Sequence, residues 1–232
     1  MIKYHSSWEN FISNSKYLDS VLKFVNNTKD ICPSKEKVFR FLDSDVKKAK
    51  CVVLGMDPYP SIYKHDGKTY PVATGRAFEV ANVSNWTDKY RQTSLAAIFK
   101  TLCYMKFGVI YNMDELREKV NETNFPLLNI HKWFDKMEEQ GVIFLNSTLT
   151  TIVNKSNAHE KIWKDFMDEL LKYIVSVNTD LLWLIWGNNA KDRVSGIVAE
   201  NKMIYTCHPA SRVNNTFVKD KTFESVKSIK WV

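Results

Sequence analysis

The sequence is short of the residues that divide a chain into parts. Only 7 glycines and 6 prolines occur in 232 residues. No Ser/Gly/Pro-rich linker, repeat or low-complexity block interrupts them, so one compact domain spanning 1–232 is expected. Cysteine is scarce as well. Cys32, Cys51, Cys103 and Cys207 lie far apart with no C-x-x-C pair, which excludes a zinc knuckle and a disulfide framework. Cys51 and Cys207 sit in apolar runs and read as small buried hydrophobes. A reducing setting follows: cytoplasmic, or the nucleus or virus factory in a eukaryotic or viral host. No apolar stretch approaches the ~18 residues of a membrane span, and the N-terminus lacks an apolar signal core. A soluble protein that is not exported is expected.

What is present is a core and a charge. With 44% hydrophobic and 13% aromatic residues, the chain can bury one sizeable core. Subtracting 26 acidic from 33 basic residues leaves +7, a balance that favours polyanionic partners through phosphate contacts and counterion release. Nucleic acid is the leading partner class. Charge reports non-specific binding and does not locate a site.

The apolar pattern sets the fold class. Trp8, Phe11, Leu18, Leu22 and Val25 recur near helical spacing over 8–27, and Pro33 opens a second helical stretch through Val38, Phe39 and Leu42. Four short apolar runs at 51–55, 142–146, 181–187 and 203–207 read as buried strands. Amphipathic stretches at 94–106, 126–139, 159–175 and 188–199 alternate with them. The alternation predicts an α/β domain with a central four-stranded, mostly parallel sheet and helices on both faces. In such sheets ligands bind outside the carboxyl ends of the strands. The residues waiting there are Asp57, Asn146, Gly187 and His208: a carboxylate, an amide and an imidazole converge on one crevice.

The neighbours of these residues carry a resemblance. Gly55-Met56-Asp57-Pro58-Tyr59, then Phe78 after a loop, is similar to the first motif of the uracil-DNA glycosylase superfamily, Gly-Gln-Asp-Pro-Tyr followed by a strand phenylalanine. Leu145-Asn146-Ser147-Thr148-Leu149-Thr150 resembles its Leu-Asn-x-x-Leu-Thr, with Ala158-His159 and Trp163-x-x-Phe166 following in place. Trp186-Gly187-Asn188-Asn189-Ala190 resembles Trp-Gly-x-x-Ala, and His208-Pro209-Ala210-Ser211 resembles His-Pro-Ser. The order is preserved, and His5-x-x-Trp8-x-x-Phe11 and Pro33-x-x-x-x-Val38-Phe39 extend the likeness over nearly the whole chain.

The resemblance implies a monofunctional DNA glycosylase that flips a pyrimidine nucleotide and hydrolyses its N-glycosidic bond in base excision repair. Such an enzyme acts as a monomer on single- or double-stranded DNA, with no metal and no cofactor. Cleavage places positive charge on the sugar and negative charge on the departing base. On this reading Asp57 orients water and stabilises the oxocarbenium-like sugar, and His208 donates a hydrogen bond to the pyrimidine O2. Asn146 pairs with N3-H and O4 of uracil, a pattern that cytosine reverses. Phe78 stacks on the base, Tyr59 presses its C5 edge, and Met56 stands where the family has glutamine. Ser94, Ser211 and the backbone at Gly187 and Asn188 occupy family-like places for phosphate contact. Arg212 stands where the family places an intercalating leucine.

Three departures crowd one side of the pocket: Met56, Pro60 in place of a histidine, and a long loop at 61–74 carrying Tyr63, Lys64, His65, Asp66, Lys68 and Tyr70. That loop keeps open a glycosylase for a C5-modified pyrimidine, such as glucosylated hydroxymethylcytosine in phage DNA, which would make the protein an antiphage factor or a specialised viral enzyme. Tyr59 and Asn146 stand against it. A DNA-binding or processivity module on the same fold is a third reading, opposed by the retained Asp57, Asn146 and His208. A nuclease fits poorly, because the expected pocket lacks clustered carboxylates for divalent metals.

Overall fold

The computed structural model describes residues 2–123, 129–211 and 215–232. In chain order its elements begin with α1 (Glu9–Asn14), α2 (Leu18–Asn27), β1 (Ile31–Cys32), β2 (Cys51–Gly55), β3 (Ile62–His65) and β4 (Lys68–Pro71). Next come α3 (Thr93–Phe107), α4 (Met113–Glu122), α5 (Ile130–Glu139), β5 (Val142–Asn146) and β6 (Thr151–Ile152). The last are α6 (Glu160–Val177), β7 (Leu182–Trp186), α7 (Asn188–Val194), β8 (Met203–Thr206) and α8 (Thr216–Lys219).

The four expected strands form one sheet in the order β5-β2-β7-β8, and every pairing in it is parallel. Parallel strands need crossover connections, which place helices over the sheet and bury both of its faces. Side-chain alternation assigns the two faces. Cys51, Val53, Val142, Phe144, Leu184 and Trp186 point into one core, shared with α3, α4, α5 and the C-terminal segment. Val52, Leu54, Ile143, Leu145, Trp183 and Ile185 point into the other, shared with α1, α2 and α6. Each fully buried aliphatic or Phe side chain contributes about 1.5–3 kcal/mol, which is what holds helices to the two faces.

The helices follow from periodicity and caps. In α5 the buried Ile130, Trp133, Phe134 and Met137 make one stripe, and the Asn129 side chain accepts the Lys132 N–H at 2.8 Å as N-cap. Of the expected 126–139 helix, residues 126–128 lie outside the described residues. The expected 94–106 helix extends by one residue at each end to Thr93–Phe107, and the expected 159–175 helix runs Glu160–Val177, with His159 as its N-cap. The 188–199 helix stops at Val194, where Ser195 turns extended.

Some expectations need correcting. The 8–27 segment is two helices, broken where Ser15 goes extended and its hydroxyl and the Lys16 N–H both bond the Glu169 carboxylate. The stretch opened by Pro33 is not an α-helix but two short 3-10 turns, Lys35–Lys37 and Arg40–Asp43, which bury Val38, Phe41 and Leu42. Helix α4 was not expected. The 61–74 loop is a hairpin, β3–β4, whose tight turn places Asp66 and Gly67 at φ 49° and 73°, the left-handed pair of a two-residue hairpin loop.

Candidate active site

Because the sheet is parallel, all four strands end on one side. Asp57 lies two residues past β2, Asn146 is the last residue of β5, Gly187 follows β7 and His208 lies two past β8. Gly55 and Asn146 are register partners in adjacent strands.

The floor of the site is built around Gly55. A methyl group there would meet Asn146 Oδ1 at 2.5 Å, Ala77 Cβ at 2.9 Å and Phe78 Cε2 at 3.5 Å. The absence of a side chain therefore lets the amide and the ring close over the end of β2. Asn146 is only 5% exposed. Phe78 is not in a strand, contrary to expectation. It sits in a turn with φ 69°, a conformation that costs a bulky residue of order 1–3 kcal/mol. Its ring lies 4.9 Å from that of Trp186.

That turn is braced from below. Arg76 is buried and donates to Glu138, to Asp135 at 2.6 Å and to Glu79 at 3.2 Å. Glu79 also meets His131 Nδ1 at 3.0 Å. Burial alone would lower the Arg76 pKa and raise that of Glu79. The surrounding opposite charges and hydrogen bonds outweigh burial in both cases, so both stay charged.

Asp57 is half-buried, and its Oδ2 accepts the backbone N–H of Asn157 at 2.9 Å. Desolvation pushes its pKa up, and the Asn157 N–H pulls against that shift. Sequence reading missed Asn157. It stands next to the quoted Ala158-His159 and adopts φ 55°, a conformation asparagine tolerates better than most residues. His159 and Trp163 are buried around Thr150, whose Oγ1 lies 2.9 Å from His159 Nδ1 and 2.7 Å from Trp163 Nε1. They anchor the start of α6 and keep clear of the crevice chemistry.

His208 is also half-buried, and desolvation lowers its pKa, favouring the neutral ring. Its Nδ1 accepts the Ala210 N–H at 3.1 Å. In the neutral ring that leaves the proton on Nε2. Gly187, at φ 93°, lets the chain after β7 pass close to this ring, since a methyl there would lie 3.0 Å from His208 Cβ.

The remaining expected residues ring this centre. Tyr59 shares a hydrogen bond with Ser94, and burial pushes its phenol pKa up. Ser94 is 8% exposed, so in this structure it braces Tyr59. Met56 accepts Thr148 N–H and the Ser147 hydroxyl through its carbonyl, at 2.9 and 2.8 Å, and Asn189 Nδ2 through its sulfur at 3.2 Å. Asn188 is exposed and accepts from the Tyr205 hydroxyl at 2.7 Å. The Ser211 N–H donates to the His208 carbonyl at 2.8 Å. Arg212 lies outside the described residues. An open cleft of about 610 Å³ runs alongside, lined by Met56, Ser147, Asn157, Lys161, Lys164 and Asn189 among others. Its lining includes the chain neighbour of Asp57, Met56, and the hydrogen-bond partner of Asp57, Asn157.

No protein-family model matches the chain. It is similar to curated proteins along most of its length. Uracil-DNA glycosylase 1 of Bacteroides fragilis is 27% identical over 220 residues, covering 91% of this chain and 86% of the relative. Uracil-DNA glycosylase of Azobacteroides pseudotrichonymphae is 24% identical, covering 96% and 91%. Among solved structures, the UNG of Nitratifractor salsuginis superposes with a TM-score of 0.71 at 16% identity over 97% of this chain and 91% of that one. Mimivirus uracil-DNA glycosylase gives 0.64 at 24% identity over 90% and 70%. The chain is thus similar over most of its length to curated uracil-DNA glycosylases, and its parallel sheet, with Asp57, Asn146 and His208 at three of the strand ends, shares the fold of the solved ones.

Proposed function

We propose that this chain is a monofunctional uracil-DNA glycosylase that draws one nucleotide out of DNA, hydrolyses its N-glycosidic bond and leaves an abasic site. The observation that carries this reading is the state of His208. With Nδ1 occupied by the Ala210 N–H and its pKa lowered by burial, the ring offers an Nε2–H donor without a positive charge. Such a donor suits a carbonyl oxygen on which negative charge grows.

As the C1′–N1 bond breaks, its electron pair leaves with the base, and His208 meets the charge at O2. The sugar is left electron-poor beside the Asp57 carboxylate, which lies in a partly desolvated position that strengthens its field. Water adds to C1′ and loses a proton to Asp57 or solvent. Asn146, wedged over Gly55, reads the Watson–Crick edge with its amide, Phe78 supplies the stacking face, and Tyr59, held by Ser94, bounds the C5 side. None of these steps draws on a metal or cofactor.

The test is a labelled oligonucleotide with a single uracil, incubated in EDTA and treated with hot alkali. Strand cleavage by the wild type, slowed about 10²–10⁴-fold in Asp57→Asn, is expected. Absence of cleavage by the wild type overturns the uracil reading.

A further inference from the structure

The β3–β4 hairpin leaves the body immediately beyond the Asp57–Pro60 turn and returns at Val72, six residues before Phe78. Its base is fixed: the Val72 N–H donates to the Ser61 carbonyl at 2.9 Å, and the Asn154 N–H donates to the Pro60 carbonyl at 2.8 Å. The ribbon beyond that base is exposed along nearly all its length.

Register sorts its side chains. Tyr63 is paired with Tyr70, and His65 with Lys68, while Ile62–Pro71 and Lys64–Thr69 are the alternate pairs. Side chains alternate along a strand and opposed residues share a face. One face therefore carries Tyr63, Tyr70, His65 and Lys68. The two rings lie 5.8 Å apart. Tyr63 packs partly against the core while Tyr70 is 39% exposed, so the inner ring supports the outer one. Asp66 pairs with His65 at 3.4 Å, leaving Lys68 as the cation of this face.

An exposed tyrosine backed by a second ring, with a lysine beside it, costs hydration and makes no core. It matches the way proteins hold single-stranded nucleic acid, with rings stacking on bases and cations meeting phosphates. The face of a paired base inside a duplex is covered by its neighbours, so stacking selects an unpaired base.

Resting on the reading of the chain as a DNA-acting enzyme, we propose that the β3–β4 hairpin is a single-strand grip whose Tyr70 stacks on an unpaired base flanking the flipped nucleotide while Lys68 meets a phosphate.

Fluorescence anisotropy with labelled oligothymidine of about 15 nucleotides, within the single-strand site sizes of such proteins, and with its duplex tests this. Tyr70→Ala is expected to weaken single-strand binding about 5–30-fold and duplex binding less than about twofold, with Tyr70→Phe restoring affinity. Lys68→Ala is expected to flatten the single-strand salt slope by about 0.7. Lys47→Ala, at the opposite end of the sheet, is expected to leave it unchanged. Equal losses on both substrates, unchanged binding in Tyr70→Ala, or no oligothymidine binding by the wild type each overturn the proposal. Uracil excision is scored in parallel. Ring-dependent binding without excision keeps the grip and removes the glycosylase reading, whereas excision with unchanged Tyr70→Ala binding does the reverse.

Discussion

Gly55 shows how one missing side chain organises the site. A Cβ there would lie 2.5 Å from Asn146 Oδ1 and 2.9 Å from Ala77 Cβ. Both are held in place, so Gly55→Ala is expected to displace the Asn146 amide and reduce uracil kcat/KM about 10–100-fold. The accompanying stability loss should be about 1–3 kcal/mol, by overpacking. Unchanged kinetics would show that Asn146 does not need its observed position. Asp57 and His208 add a pH dependence. Burial raises the Asp57 pKa above 3.8 and lowers that of His208 below 6.5, and the proposed chemistry needs the carboxylate ionised and the ring neutral. Both conditions fail as pH falls, so kcat/KM should drop on the acid side between those two values. Stability carries opposite signs for the two groups. A folded carboxyl pKa above the unfolded value means that ionised Asp57 destabilises the fold at neutral pH, and the handicap fades as pH falls through the raised folded value and is gone below 3.8. The buried neutral His208 instead costs stability as pH falls below 6.5. Comparing Asp57→Asn with the wild type isolates the first effect: the variant should be the more stable of the two at pH 7, and the difference should vanish at the acid end of a pH series of urea melts.

At the scale of elements, the segment leading from β4 to α3 holds Phe78 at φ 69°, and the acidic cage around Arg76 braces it. Removing one member of a buried charge network leaves the others uncompensated, so Arg76→Met is expected to cost about 3–5 kcal/mol in urea denaturation. Glu79 Oε2, already without a hydrogen bond and 3.7 Å from Arg40 Nη1, would carry much of that loss. A cost below 1 kcal/mol would mean that the cage does not support the Phe78 turn. This cage was not legible in the sequence, because it joins residues 40, 76, 79, 131, 135 and 138, whose proximity exists only in the fold. The strands were legible because a parallel sheet buries both faces, which leaves unbroken apolar runs such as Val142–Leu145. Two elements were missed although their signals were present: Asn112 and Glu115 form the capping box of α4, and Asp66-Gly67 is a hairpin turn pair. The 33–42 segment misled because its apolar residues have helical spacing, while packing Val38, Phe41 and Leu42 against β2 and β5 takes separate short turns.

For the whole molecule, the place of the candidate site was legible to the extent that topology alone fixes it. Parallel strands put their carboxyl ends together, so Asp57, Asn146, Gly187 and His208 could be grouped before any distance was known. On the proposed function, how DNA would lie across that end depends on where the net charge of +7 sits. Much of it is diffuse, and several cations are engaged: Arg193 pairs with Asp168, and Arg76 and Arg40 serve the cage. Lys161 and Lys164 differ. They lie three residues apart in the first turns of α6, both exposed, and both line the cleft that opens beside Met56 and Asn157. One helical turn apart, they present two charges on one face toward the Asp57 side of the site. A strand crossing this cleft would meet both. Each phosphate neutralised contributes about −0.9 to the slope of log affinity against log salt on duplex DNA. Replacing both lysines with alanine should then flatten the slope of log kcat/KM by about 1.8 while leaving single-turnover excision at saturating enzyme unchanged, because neither residue touches the reacting atoms. Asp57→Asn should do the reverse, slowing turnover about 10²–10⁴-fold while keeping the wild-type salt slope for binding. If the double variant keeps the full slope, the duplex crosses the strand ends on the other side, over the His208 loop, and the cleft lies off its path.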